Sequence, residues 1–164
     1  MRSLFASVSL AATVVCAGAL SAGAETKAEV GKAVPDFKLT DCCGAEFSLA
    51  KFTAENAKKA EGERAKAVVL IFWSYDCGIG KAYDKRVKLL TDALKDQAVA
   101  VFAVNSNDGQ TVEKSKEYLK KQETSLKFLM DPKGEVADLF SAKSVTTSAV
   151  LDADGVLRYW GSID

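Results

Sequence analysis

The sequence contains no histidine, and this absence narrows the chemistry that the chain can perform. A cysteine–histidine hydrolase needs an imidazole base, and His-ligated zinc or copper sites need imidazole ligands, so these classes are excluded. An excess of one charge is also lacking, because 22 basic residues balance 22 acidic ones. A nucleic-acid or membrane-surface partner would favour a clustered basic excess, and we therefore predict neither.

The first 24 residues differ in kind from the rest of the chain. A basic start at Arg2 is followed by an apolar stretch without acids, and residues 22–24 have the small side chains of a cleavage site. The apolar part is shorter than the ~20 residues of a membrane span. We expect a secretory signal peptide over 1–24, cleaved after Ala24 and removing Cys16. The mature protein would then be secreted or periplasmic, without a stable membrane anchor.

Three cysteines remain in the mature chain, namely Cys42, Cys43 and Cys77. An oxidising compartment either pairs thiols or keeps them reduced through dedicated partners. Because three is an odd number, at least one sulfur is free, intermolecular or reactive.

The mature chain predicts one α/β domain with an antiparallel sheet edge. A polar lead-in over 25–33 precedes a domain over 34–164 that shows no repeat, low-complexity tract or linker. Continuous apolar runs predict strands buried on both faces, and apolar residues at helical spacing predict amphipathic helices. The predicted elements are a hairpin over 35–52, a partly helical segment over 54–66, strands at 67–73 and 98–105 around a helix at 79–96, a helix over 109–122 capped by Thr111, a strand near 126–129, a helix near 134–140, and a hairpin over 147–161 turning at Asp154-Gly155.

The segment VVLIFWSYDCGIGKAYDKR places Cys77 between a buried strand and a helix N-terminus. Unsatisfied backbone N–H groups and positive partial charge at such a terminus stabilise a thiolate over a thiol. Gly78 and Gly80 expose backbone around the sulfur, and Lys81 adds a positive charge one turn further on. The alternative is a buried structural cysteine. We favour a reactive thiol, because the polar SYD turn suits a position that opens to the surface.

Three segments together resemble the thioredoxin-fold redoxins, the group that contains the alkyl hydroperoxide reductase/thiol-specific antioxidant proteins. They are VPDFKLTDCCGAEFSLAKF, VVLIFWSYDCGIGKAYDKR, and the stretch from VAVFAVN to YWGSID. The resemblance implies a thioredoxin-like α/β fold, with a mixed central sheet flanked by helices and an N-terminal β-hairpin. It also implies that Cys77 is the attacking thiol. We expect Trp73, Lys81 and Thr146 to shape the surroundings of this thiol and no cofactor to take part.

The sequence departs from the family pattern at three positions. Gly80 stands where thioredoxins place their second cysteine, and Gly78 stands where a related subgroup has proline. The loop that normally carries a cis-proline facing the active cysteine has Thr146, and the chain's only prolines are Pro35 and Pro132. These departures leave the expected fold intact, but they argue against a standard dithiol or peroxidase activity.

Three functions remain open on this basis. The first is an exported thiol oxidoreductase in which Cys77 attacks a disulfide, on a protein for example, or a small peroxide. An external thiol reductant, or else Cys42 or Cys43, would resolve the intermediate. The second is a binding module that keeps the fold and has lost turnover. The third is a Cu(I) carrier that uses the thiolates of Cys42 and Cys43, although the sequence predicts no resident metal site.

Overall fold

The computed structural model describes residues 27–164, and the signal peptide predicted at 1–24 lies outside the described residues. Within this part of the chain, no helix combines the length and the apolar character that crossing a bilayer requires. The elements are β1 (Lys38–Asp41), β2 (Glu46–Ser48), α1 (Leu49–Ala57), β3 (Ala67–Phe72), α2 (Gly78–Leu94), β4 (Val99–Asn105), α3 (Val112–Gln122), β5 (Lys127–Met130), α4 (Glu135–Leu139), β6 (Thr147–Asp152) and β7 (Leu157–Ser162), with a 3₁₀ turn at Glu61–Glu63.

The strands form one mixed sheet in the order β2-β1-β5-β4-β3-β6-β7. β3, β4 and β5 run parallel at the centre, and β1 and β6 pair antiparallel on either side of them. The hairpin partners β2 and β7 form the two edges. The mixed sheet and the N-terminal hairpin confirm the predicted architecture. Because β3, β4 and β5 are parallel, the loops that leave them gather at one end of the sheet.

Alternate side chains along β3 face two separate hydrophobic clusters, since successive residues of a strand point to opposite faces. Residues of α1 and α4 complete one cluster, and residues of α2 and α3 complete the other. Both faces of β3 are therefore buried, which explains its uninterrupted apolar sequence. The residues concerned are Val68, Leu70 and Phe72 in the first cluster and Val69, Ile71 and Trp73 in the second.

Helix α1 begins at Leu49, earlier than the segment 54–66 predicted to be partly helical. Its start is fixed by tertiary contacts, because the Ser48 hydroxyl accepts a hydrogen bond from the Lys51 N–H at 3.1 Å and the Asp36 carboxylate accepts one from Ala50 at 2.8 Å. The chain beyond α1 turns back instead of continuing as a helix. The buried Asn56 side chain holds that return by bonding both the N–H and the carbonyl of Ala65, at 2.7 and 2.9 Å.

The end of the polar lead-in packs against the domain. The Ala28 N–H donates to the Leu139 carbonyl at 2.8 Å, which joins this segment to α4. Gly31 and Lys32 exchange backbone hydrogen bonds with Leu157 at 2.8 and 3.0 Å. These bonds pair the backbone of Leu157, the first residue of β7, whose outer edge would otherwise present unpaired groups there.

The turn between β6 and β7 is organised by the Asp152 carboxylate. It accepts hydrogen bonds from the N–H groups of Asp154 and Val156, at 3.0 and 2.9 Å, and from the guanidinium of Arg158 at 2.7 Å. Burial alone would raise the pKa of Asp152, but the Val156 N–H, Arg158 and the Asp154 N–H together hold this pKa below its ordinary value.

We expect Asp152→Asn to lower the free energy of unfolding by about 1 kcal/mol at neutral pH, because the neutral amide accepts fewer and weaker hydrogen bonds. A carboxyl whose pKa is depressed by folding stabilises above its unfolded-state pKa, near 3.8, and this stabilisation is lost as the pH falls through the folded-state value. Urea denaturation of both proteins, at neutral pH and in acid below that value, measures the difference. An equal difference at both pH values, or an equal loss in the neighbouring control Asp154→Asn, would contradict this role.

Candidate active site

Cys77 lies at the N-cap of α2, half-buried, directly after the loop that leaves β3. Its N–H donates to the Ser74 carbonyl at 3.4 Å, and its carbonyl accepts from the Lys81 N–H at 3.0 Å. The side chain forms no capping hydrogen bond. The first N–H groups of a helix have no partner within the helix and carry positive partial charge, and Cys77 lies at this end of α2.

Gly80 approaches the Ser74 carbonyl more closely than any other residue type could. A Cβ atom added at Gly80 would lie 2.4 Å from the Ser74 carbonyl oxygen, whereas a Cβ at Gly78 would meet nothing within 4 Å. Because the obstacle at Gly80 is backbone, relief requires the loop or the helix to move. A second cysteine at this position is therefore incompatible with the packing of the loop against α2, a reason that the sequence alone did not reveal.

Two side chains of the loop between β4 and α3 form hydrogen bonds with the loop that precedes Cys77. The Asn107 side-chain amide donates to the Trp73 carbonyl at 3.2 Å, and the Gln110 amide donates to the Ser74 hydroxyl at 2.6 Å. The sequence analysis did not single out Asn107 or Gln110. The available signal was a polar run between a buried strand and a helix, which is equally typical of an ordinary turn.

Aromatic side chains of the Cys77 loop and of α3 stack beneath the site. The rings of Tyr75 and Tyr118 are stacked with centroids 5.8 Å apart, and the Tyr118 hydroxyl donates to the Asp84 carboxylate of α2. Burial and then the contact with Asp84 raise the pKa of Tyr118, and the neighbouring Trp73 side chain acts in the opposite direction. Tyr118 is thus a neutral hydrogen-bond donor that ties α3 to α2.

A cavity of about 400 Å³ opens beside Cys77. Trp73 lines it, and so does Val145, the residue before Thr146. Lys81 is exposed and does not line the cavity. Apart from the thiol, the ionisable group on the cavity wall is Lys143, which sequence analysis missed because nothing in its local pattern distinguishes it.

Thr146 has a backbone conformation that a proline cannot adopt. Its φ is +67°, its N–H donates to the Phe72 carbonyl at 2.8 Å, and its carbonyl accepts from the Ile163 N–H at 3.0 Å. Proline has φ near about −65° and no N–H to donate. This left-handed conformation is strained for a β-branched residue, and the two hydrogen bonds to neighbouring segments hold it in place.

Cys42 and Cys43 lie in the turn between β1 and β2, the first buried and the second exposed. Burial raises the pKa of Cys42, and the adjacent Cys43 and Asp41 add to this effect, while a backbone hydrogen bond with Phe128 opposes it. All three cysteines of residues 27–164 are free thiols. No group of three or more cysteine or carboxylate side chains in this range is arranged to hold a metal ion.

The structure does not bring Cys42 or Cys43 to Cys77. Cys42 bonds to Phe128 of β5, and β5 is separated from β3 by β4. Three strand spacings of about 4.8 Å place Cys42 roughly 14 Å from β3, whereas disulfide-bonded Cα atoms lie within about 6.8 Å. Direct resolution of Cys77 by either cysteine would require the hairpin to leave the sheet.

The chain is similar in sequence and in fold to several known proteins. It is 25% identical over 134 residues to the thiol-disulfide oxidoreductase ResA of Bacillus thuringiensis subsp. konkukian, covering 80% of this chain and 68% of that protein. A hypothetical protein from Sinorhizobium meliloti 1021 superposes with a TM-score of 0.71 at 25% identity, over 85% of this chain and 73% of that one. The peroxidoxin BcpB of Mycobacterium tuberculosis shares the fold, with a TM-score of 0.65 at 19% identity over 82% and 86% of the two chains.

The family model described as "AhpC/TSA family" matches residues 30–160, which is most of the chain. This match agrees with the mixed sheet, the N-terminal hairpin and the position of Cys77 between β3 and α2. The protein therefore belongs to the AhpC/TSA family of thioredoxin-like redoxins, and the resemblance carried by its three motifs is confirmed.

Proposed function

We propose that the protein is an exported thiol-disulfide oxidoreductase in which Cys77 is the single attacking cysteine. The observation that carries this proposal is the position of Cys77 at the α2 N-cap, on the wall of a cavity of about 400 Å³. The N-terminus of α2 carries positive partial charge, and the cavity gives a substrate access to the sulfur. The reaction named for the ResA relative supports the same class of chemistry.

In the proposed reaction the Cys77 thiolate attacks one sulfur of a substrate disulfide. A bond forms between Cys77 and that sulfur, the substrate S–S bond breaks, and the leaving thiolate takes a proton from water. An external thiolate then attacks the substrate sulfur of this mixed disulfide and releases Cys77 in its reduced form. The external thiol is required because Gly80 offers no sulfur and Cys42 is roughly 14 Å from β3 in the folded sheet.

We propose further that residues 1–24 are a signal peptide and that the redox domain spans 34–164. The basic start, the apolar stretch and the small residues before Glu25 support this assignment. Expression of the full chain in a Gram-negative host, followed by N-terminal sequencing of the periplasmic fraction, tests it. We expect the recovered protein to begin at Glu25; recovery with Met1 intact, or only in the cytoplasm, would contradict export.

We expect Cys77→Ser to reduce the disulfide reductase rate to that of the uncatalysed reaction, because the serine hydroxyl is not ionised at neutral pH and cannot form a mixed disulfide. The assay follows reduction of bis(2-hydroxyethyl) disulfide by an external thiol, and parallel reactions follow peroxide consumption. Cys43→Ser and Cys42→Ala serve as matched controls and should retain the rate.

The mixed disulfide itself provides a second readout. Mass spectrometry of the wild-type protein after exposure to the disulfide should find the adduct on Cys77, stable until an external thiol is added. Loss of the adduct with formation of an intramolecular Cys77–Cys42 or Cys77–Cys43 bond would contradict external resolution. Absence of both adduct formation and turnover would favour the binding-module alternative.

We expect Gly80→Cys to lower stability without giving a working dithiol, because the new Cβ meets the Ser74 carbonyl oxygen. Overpacking against backbone costs about 1–3 kcal/mol, and Gly80→Ala should lose a similar amount. The matched control is Gly78→Ala in the same helix turn, which meets nothing within 4 Å and should be neutral or stabilising. Thermal denaturation compares the four proteins; unchanged stability of Gly80→Ala would show that this contact is easily relieved.

A further inference from the structure

The lining of the Cys77 cavity, within the described residues, contains one charged side chain. Lys143 lies on its wall, and the other lining residues of the described chain, apart from the thiol, are uncharged. The nearest acidic residue in sequence, Asp76, is exposed, lies outside the lining and is within 3.4 Å of the Gln110 side-chain amide. The buried Asp131 carboxylate lies behind this lining, where it accepts hydrogen bonds from the Ser106 hydroxyl at 2.7 Å and the Ala137 N–H at 3.0 Å. Lys143 is therefore the charged side chain that a molecule in the cavity can contact directly.

The remaining lining suits a small molecule with an apolar body. Ala137 and Ala142 beside α4, with Val145 and Ile79, provide apolar walls, and the Asn107 amide provides a polar one. A volume of about 400 Å³ lies within the range of roughly 300–1,000 Å³ that is usual for small-molecule sites. The cavity is therefore large enough for one half of a small disulfide beside the reacting sulfur.

Resting on the proposed function of Cys77, we propose that Lys143 makes the site selective for disulfides in which at least one half is a small thiol bearing a carboxylate. The Lys143 ammonium attracts the carboxylate of that half, and the apolar walls receive its carbon chain. Lys143 acts as a specificity determinant, since it binds the substrate and takes no part in bond making.

The covalent step is the exchange already described, with the anionic half held in the cavity. The Cys77 thiolate bonds to the sulfur of the carboxylated half, and the other half leaves as a thiolate that takes a proton from water. A second molecule of the small thiol, as its thiolate, then attacks that same sulfur. A symmetric small disulfide forms and Cys77 is regenerated, so the small thiol is oxidised and the departing partner is reduced.

The test uses three disulfides of matched length and different charge: dithiodipropionate, which is anionic, bis(2-hydroxyethyl) disulfide, which is neutral, and cystamine, which is cationic. The rate constant for adduct formation at Cys77 is measured by mass spectrometry of the full mature chain. Each value is divided by the rate constant for the same disulfide with free 2-mercaptoethanol, which removes differences in intrinsic reactivity.

We expect the normalised rate for the anionic disulfide to exceed that for the cationic one by about threefold to tenfold at low salt. The preference should decrease in about 1 M salt, where the Debye length falls to about 3 Å. Lys143→Gln should abolish the preference and Lys143→Glu should reverse it. The matched control Lys127→Gln, exposed at the opposite end of the sheet where β5 begins, should leave the preference unchanged.

The outcomes separate the two proposals. Equal normalised rates for all three disulfides in the wild type, or a preference that survives in Lys143→Gln, would overturn the role of Lys143 and leave the function of Cys77 standing. Failure of every disulfide to form an adduct at Cys77 would overturn the proposed function itself. Because Lys143 is exposed, the variants are expected to fold, and thermal denaturation of each verifies this.

Discussion

The approach of Gly80 to the Ser74 carbonyl oxygen is the contact on which the geometry of the site depends. This contact joins the loop that leaves β3 to the first turn of α2. A Cβ atom added at Gly80 would lie only 2.4 Å from the Ser74 carbonyl oxygen. Cys77 lies between these two residues, so the same contact fixes where its sulfur stands relative to the helix terminus and the cavity. The loop between β4 and α3 completes the arrangement through Asn107 and Gln110.

A redox site with one sulfur differs from a dithiol site in the source of the thiol that resolves the mixed disulfide. In a dithiol site the resolving sulfur is part of the fold, and its effective concentration is high. Here the loop packing leaves no place for a second sulfur at Gly80, and the sheet keeps Cys42 three strands away from β3. Under the proposed function, turnover of Cys77 therefore depends on the concentration of a diffusing thiol.

The sequence predicted the parts of the molecule whose signals are local. β3 and α2 follow from an apolar run and helical spacing, and the Thr111 cap of α3 follows from its own hydroxyl, which accepts from the Lys114 N–H. The start of α1 was missed because it depends on Asp36, twelve residues before Ser48 in the chain. Cys77 was predicted from the junction of two elements. Lys143 was missed because only the folded chain brings it to the cavity.

Replacement of Thr146 by proline would be a small change in the codon and a large change in the backbone. Threonine and proline codons differ by a single nucleotide, so the family's usual proline is always within reach of a point mutation. In this fold the change would require φ to rotate from +67° to about −65° and would remove the 2.8 Å hydrogen bond to Phe72. A proline at position 146 would therefore require the backbone of this loop to change together with the side chain.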